Sequence, residues 1–242
     1  MTAAAGTTTF AAPPAERRSA RPNWMLWTAL ALLAVFVAFA VHVAIDPEHP
    51  FTQPLDDAWR RLVGSGPGGL ENSVPSLFFQ NLGELAGAVL MIVVIPVALF
   101  IVGRWRSALF FLANDAIASI AIAQIAKNLV NRPRPAADEP NGLFGPLFTV
   151  DHGSFPSGHA VTVGALVIGV AALIPAGRRL GWWIISAVLV AGIVWQRTLI
   201  NAHWLSDTLF GVLAGILASI LVWWAFYPLL QRDYGRRLFN RK

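Results

Sequence analysis

Six long apolar stretches punctuate the chain, at about residues 24–45, 85–103, 107–127, 158–175, 181–200 and 205–230. Each comes close to the roughly 20 residues that a helix needs to cross the hydrocarbon core of a bilayer. The first opens on Trp24 and Trp27 and runs uncharged to Ile45. The second contains Pro96, which a membrane bundle tolerates. The third carries Asp115 and ends at Lys127, the fourth begins at Gly158 and His159, and the fifth begins at Trp182 and Trp183. The sixth closes on Trp223, Trp224 and Tyr227, aromatic residues of the kind that settle at a membrane interface. The pattern predicts an all-α fold, a polytopic membrane bundle of six transmembrane helices over residues 24–230.

Polar positions shape the remainder. Residues 1–23 are rich in Ala, Thr and Pro without a core-forming pattern and read as a disordered tail, and 231–242 read as a second, basic tail. In the longest connection, 46–84, Leu55, Ala58, Trp59, Leu62 and Val63 recur at helical spacing, with Asp56, Asp57, Arg60 and Arg61 on the other face. That predicts a short amphipathic helix lying at the membrane interface. Such a helix suits a cover over a site or a guide for a lipid tail, and equally a simple packing role on the bundle.

Composition narrows the class. Of 242 residues 56% are hydrophobic and 13% charged, against about 45–50% and about 25% in soluble domains. With a mean hydropathy of +0.58, soluble, disordered and nucleic-acid-binding classes are excluded as the main reading. The absence of Cys excludes disulfides, Cys nucleophiles, thiolate-bound zinc and iron–sulfur clusters.

The net charge of +5 resolves into an orientation. Twelve Lys/Arg and two Asp/Glu fall on the side of the two termini and even-numbered connections, giving +10; six Lys/Arg and ten Asp/Glu fall on the other, giving −4. The positive-inside rule then puts both termini in the cytoplasm and the loops after spans one, three and five outside. The N-terminal Arg residues, the first apolar run and Ala38-Phe39-Ala40 also fit a cleavable signal peptide, which would leave five spans in the same orientation. All five His lie at or beyond the outer boundary, so titratable chemistry gathers on one face. Asp115 lies about 18 Å along its helix from Lys127, too far to share phosphate chemistry. It is expected to face the bundle and meet a polar partner.

Three blocks on that outer face carry candidate chemistry. Lys127 to Pro135 reads K-N-L-V-N-R-P-R-P, placing Lys127, Arg132 and Arg134 on the side where cations are disfavoured. Phe155-Pro156-Ser157-Gly158-His159 leads into the fourth stretch, where Ser157 suits an N-cap and the helix N-terminus suits an anion. Arg197 is followed by His203 and Asp207, four apart and on one face of a helix. Alone, each block also fits a plain role: snorkelling cations with helix-stopping prolines, an ordinary cap, a surface pair. Together, the three cations Lys127, Arg134 and Arg197, two His, a carboxylate and a helix N-terminus match phosphoryl transfer, which is catalysed chiefly by charge stabilisation.

These blocks resemble the three motifs of the type 2 phosphatidic acid phosphatase family of membrane lipid phosphatases, Lys-x6-Arg-Pro, Pro-Ser-Gly-His and Ser-Arg-x5-His-x3-Asp. Lys127 with Arg134-Pro135, the complete Pro156-Ser157-Gly158-His159, and Arg197, His203 and Asp207 fit in order and spacing. Gln196 stands where the family has Ser, and Arg132-Pro133 is a second Arg-Pro pair that suits an auxiliary role. The resemblance implies that His203 attacks phosphorus with Asp207 orienting it. It implies that His159 protonates the leaving alkoxide, and that Lys127, Arg134, Arg197 and the Ser157/Gly158 backbone hold the phosphate. It implies no cofactor and no metal, and as partners a lipid phosphate substrate and membrane lipids, with no nucleic acid.

The expected activity is hydrolysis of a lipid phosphate or isoprenoid diphosphate at the extracytoplasmic face of the plasma membrane. Phosphatidic acid, phosphatidylglycerol phosphate and undecaprenyl diphosphate are all open as substrates. A phosphotransferase of the same fold is an alternative. A transporter or non-catalytic scaffold is a further one, against which stands the lack of paired, broken-helix halves.

Overall fold

The computed structural model describes residues 20–147 and 153–234; most of both predicted tails lies outside them. Among the described residues the fold is all helical, with one isolated bridge between Asp138 and Leu143. The helices are α1 (Asn23–Ile45), α2 (Gln53–Val63), α3 (Val74–Leu82), α4 (Leu85–Ile101), α5 (Trp105–Leu129), α6 (Gly158–Leu173), α7 (Arg179–Leu199) and α8 (Leu205–Tyr234).

All six apolar stretches are helical, but fewer meet the length and composition of a crossing. Four do so alone: α1, α5, Ala176–Leu199 and α8. A fifth, α4, does so only together with α3, from which it bends by 47° at Gly83-Glu84. The sequence pattern contained no sign of α3, because polar residues interrupt its apolar positions. The 16 residues of α6 extend only about 24 Å, short of the ~30 Å core. This helix is buried along most of its length, and small residues let it pack closely on α8.

Glycine makes that enclosure possible. A Cβ at Gly164 of α6 would sit 2.3 Å from the Val212 carbonyl oxygen of α8, and one at Gly215 of α8 would sit 2.1 Å from that of Val161. The two backbones touch as small-residue interfaces in membranes do. The contact is fastened by polar bonds to one carbonyl: Asn114 Nδ2 and Ser219 Oγ both donate to Ala165 O, at 3.0 and 3.2 Å. Asn114 therefore makes the interhelical bond that was expected of Asp115. The described partner of Asp115 is Ser119, one turn along the same helix.

Two helices contain π-helical turns, Leu90–Val94 in α4 and Ala116–Ala123 in α5. The first directly precedes Pro96, whose ring would crowd the carbonyl four residues back in a regular α-helix; a wider turn leaves room. At the end of the bundle away from the His residues, buried Asp233 of α8 accepts from Ser107 N and Oγ at 2.9 and 3.0 Å and pairs with Arg106 at 3.2 Å. It thereby caps the N-terminus of α5.

The α6–α8 contact predicts that Gly215→Ala lowers stability by about 1–3 kcal/mol, since the clash is with backbone. Gly177→Ala, whose added Cβ meets nothing within 4 Å, is the control. Thermal unfolding of the detergent-purified protein checks this: equal midpoints for the two variants would refute the close-contact account.

Candidate active site

The predicted site residues converge at one end of the bundle. The last turn of α5 supplies Lys127, and the following extended segment supplies Arg132 and Arg134. The segment before α6 supplies Ser154 and Ser157, and the first turn of α6 supplies Gly158 and His159. Arg197 lies in the last turn of α7, His203 in the connecting turn, and Asp207 in the first turn of α8.

Local packing fixes these positions. Phe155, immediately before Pro156-Ser157, is buried against Phe36 and Phe39 of α1, each with its ring centroid 5.7 Å away. Phe39 in turn stacks on Phe210 of α8 at 3.7 Å. The turn that carries His203 contains Asn201 at φ 53°, a left-handed conformation that Asn tolerates better than most non-glycine residues. Its amide is anchored on both sides, accepting from Arg60 Nε at 3.2 Å and donating to Ser65 O at 3.0 Å.

His203 is buried, and its Nδ1 lies 2.7 Å from the carbonyl oxygen of Ser154. A carbonyl only accepts, so Nδ1 carries the proton and Nε2 keeps its lone pair. Nε2 lies 3.3 Å from Arg134 Nη1, a donor. Burial first, and then the charges of Arg197, Arg134 and Lys127, hold the His203 imidazole well below its ordinary pKa, so it is neutral. Arg134 also donates to Ala202 O at 2.6 Å and Gly153 O at 3.5 Å. Burial lowers its pKa, partly offset by Asp207; a guanidinium remains charged regardless.

Asp207 is not the group that touches His203. Its Oδ1 pairs with Arg132 Nη1 at 2.7 Å, while Oδ2 accepts from Ser154 Oγ and from Trp204 N, the latter at 3.0 Å. The histidine is oriented by the Ser154 carbonyl, and Asp207 holds Ser154. Arg132 is more than auxiliary: it is fully buried and also pairs with Asp56 of α2 at 2.8 Å.

The amphipathic helix is present, and that contact gives its polar face a protein partner. The polar face of α2 points inward, with Asp56 buried, whereas Leu55 and Leu62 are 58% and 78% exposed. In a bilayer environment an outward apolar face is the favoured one.

His159 Nε2 lies 3.0 Å from Arg197 Nη1, and that guanidinium nitrogen donates to Gln80 Oε1 of α3 at 2.6 Å. Gly83 accommodates the imidazole, because a Cβ there would fall 1.8 Å from His159 Cδ2. Lys127, Arg134 and Arg197 are all within electrostatic reach of both histidines.

Ser157 precedes α6 without capping it through its side chain. Its N–H donates to Asp207 O at 3.1 Å, so this amide is committed within the protein instead of facing a phosphate. Its Oγ is buried and has no partner among the described residues. A Cβ on Gly158 would meet nothing within 4 Å, so the backbone there borders open space. Among the described residues no group of three or more His, Asp or Glu is placed to hold a metal ion.

Sequence reasoning missed Ser154, Gln80 and Gly83, for which no motif exists, and gave Asp56 no place in the site. Asp151 and His152, which flank the second block, lie outside the described residues.

Residues 107–230 match the family model described as the PAP2 superfamily. The chain is 31% identical over 119 residues to a lipid A 1-phosphatase of Rhizobium etli, covering 46% of this chain and 47% of that protein. It is 30% identical over 123 residues to a lipid A 1-phosphatase of Rhizobium johnstonii, covering 48% and 46%. The chain thus spans about half the length of the curated relatives it matches. Its fold is similar to the crystal structure of a transmembrane PAP2 type phosphatidylglycerolphosphate phosphatase from Bacillus subtilis, with a TM-score of 0.64 and 20% identity over 88% of this chain and 100% of that one. A family match that includes Lys127, both histidines and Asp207, on a multi-pass helical membrane fold, places this chain in the PAP2 superfamily.

Proposed function

We propose that residues 24–230 form an integral membrane lipid phosphatase with six crossings, counting the short α6, and with both termini cytoplasmic. On this reading the site faces the extracytoplasmic side of the plasma membrane, and the substrate is a lipid phosphate or isoprenoid diphosphate. The observation that carries the proposal is the pair of histidines set among Lys127, Arg134 and Arg197, with His203 held as a neutral imidazole whose Nε2 lone pair faces the guanidinium of Arg134. The phosphatase names of the relatives support the reaction class.

The reaction proceeds in two displacements. Nε2 of His203 donates its lone pair to phosphorus, and the bond from phosphorus to the lipid oxygen breaks. His159 gives a proton to the departing oxygen. The Nδ1 proton stays on His203, donated in a hydrogen bond to the Ser154 carbonyl, which stabilises the imidazolium character of the phosphohistidine. Water then attacks phosphorus, loses its proton to His159, and breaks the phosphorus–nitrogen bond to release inorganic phosphate. Lys127, Arg134 and Arg197 supply positive charge to the phosphoryl oxygens, and Ser157 Oγ is available as a further donor. No metal ion takes part.

Three outcomes test this. His203→Ala abolishes both phosphate release and the acid-labile phosphoenzyme while the protein still inserts; full activity in that variant on phosphatidic acid, phosphatidylglycerol phosphate and undecaprenyl diphosphate would refute the nucleophile. Wild-type release is expected to survive chelators, whereas a phosphorylated lipid acceptor formed without free phosphate would favour a phosphotransferase of the same fold. His159→Ala is expected to slow alkyl phosphates by about 10²-fold or more, and activated aryl phosphates far less, because only a poor leaving group needs the acid. Equal slowing of both substrates would argue against that role.

The neutral state of His203 predicts a pH effect on stability. In the unfolded chain an imidazole takes up a proton near pH 6.5, whereas in the fold this one does so only at much lower pH. The unfolded state therefore binds more protons as pH falls below about 6.5, and stability present above that pH is lost on acidification. His203→Gln removes this contribution, so its thermal midpoint should drop less than that of wild type between pH 7.5 and 5. Parallel declines would contradict a buried neutral imidazole.

A further inference from the structure

We propose that Asp56 and Arg132 are positioning residues for His203, acting through Asp207 and Ser154; the proposal rests on the phosphohistidine reading. The connection is continuous. Asp56 Oδ2 accepts from Arg132 Nη2 at 2.8 Å, and Arg132 Nη1 donates to Asp207 Oδ1 at 2.7 Å. The other oxygen of Asp207 accepts from Ser154 Oγ, and the Ser154 carbonyl accepts from His203 Nδ1 at 2.7 Å.

Arg132 is not placed to hold substrate. Its side chain is 0% exposed, and its two terminal nitrogens are taken up by Asp56, Asp207, Ser206 Oγ at 2.8 Å and Gln53 Oε1 at 2.9 Å. Arg134, two residues on, is the one that reaches His203 Nε2. The Arg-Pro-Arg-Pro segment thus divides its labour: one guanidinium faces the reacting nitrogen, and the other fixes the carboxylate behind the histidine.

The consequence for chemistry is specific. Were Asp207 released from Arg132, its second oxygen would keep only the Trp204 N–H besides Ser154, and the Ser154 carbonyl, whose residue is otherwise held by its own N–H on Arg132 O, would be less tightly oriented. The Nδ1 proton would then lose its acceptor, and the imidazole could carry its proton on Nε2 instead, where it blocks attack. The cationic cradle of Lys127, Arg134 and Arg197 contains none of these links. Disrupting Asp56 should therefore impair the chemical step and leave phosphate binding intact. Asp56 belongs to α2, outside the segment that carries the motifs, so the connection 46–84 contributes to the nucleophile itself.

The test uses the full-length protein in detergent or nanodiscs and compares vanadate with inorganic phosphate as inhibitors. Vanadate takes the five-coordinate form that requires His203 Nε2, as transition-state analogues do; phosphate requires only the cations. For Asp56→Asn, kcat is expected to fall about 10–100-fold with KM within about twofold. Vanadate inhibition weakens by a similar factor, and phosphate inhibition stays within about twofold. Ser154→Ala, which removes the hydroxyl that Asp207 holds, is expected to give the same signature. Where Asp56→Asn fails to fold, Gln53→Leu gives a smaller split in the same direction. If wild type itself binds vanadate no more tightly than phosphate, the phosphohistidine reading fails. If wild type prefers vanadate and the variants lose both inhibitors equally, or lose neither, the positioning proposal is overturned and the phosphohistidine reading stands.

Discussion

The site end of the bundle is organised by one buried guanidinium. Arg132 cannot shed its charge, so burying it requires anions and acceptors, and it has them from two separate parts of the chain: Asp56 of α2 and Asp207 of α8. Leaving one ion of such a cluster unpaired typically costs about 3–5 kcal/mol, so the three segments are held in register. The N-terminus of α8 adds to the arrangement, since Ser206 N donates to Asp56 and Trp204 N donates to Asp207. Both carboxylates thereby sit at the positive end of the longest helix. Once Asp207 is fixed, Ser154 is fixed, and the histidine tautomer follows from the Ser154 carbonyl.

In front of that anionic cluster stands its electrical opposite. Lys127, Arg134 and Arg197 converge around two histidines, one of which burial and these same cations keep neutral. Among their described bonds, Arg134 donates to the Ala202 and Gly153 carbonyls and Arg197 to the Gln80 amide. The site is preorganised for an anion that brings charge of its own, and a phosphoryl group satisfies that requirement with oxygens enough for all three cations.

Much of this was legible in the chain. The apolar stretches identified their helices because lipid selects composition over length, and the triplet of motifs identified Lys127, Arg134, His159, Arg197, His203 and Asp207 by spacing. Periodicity does not say which face of a helix turns inward. In lipid the apolar face of α2 is satisfied outside, and Asp56 on its charged face finds protein partners in Arg132 and Ser206. Asp115 and Asn114 are neighbours about 100° apart around the helix; the sequence marks the carboxylate as the conspicuous residue, yet Asn114 is the one that points at α6. Ser154 acts partly through its backbone carbonyl, which every residue possesses, and so nothing in the sequence could single it out.

The departure from the family pattern at Gln196 becomes intelligible beside α3. Gln80 Oε1 accepts from Gln196 Nε2 at 2.8 Å and from Arg197 Nη1 at 2.6 Å, which occupies both of its lone pairs. With the oxygen so engaged, the amide nitrogen of Gln80 must face the other way, and it donates to Glu84 at the bend between α3 and α4. A Ser at 196 lacks the reach to join this arrangement; the longer side chain secures the Arg197 acceptor from a second direction. Gly83 lies at the same bend and leaves space for the His159 ring. The break in the α3–α4 pair is thus where the acid candidate and a phosphate-binding candidate are both seated, and a straight helix with a side chain at 83 would displace the first of them.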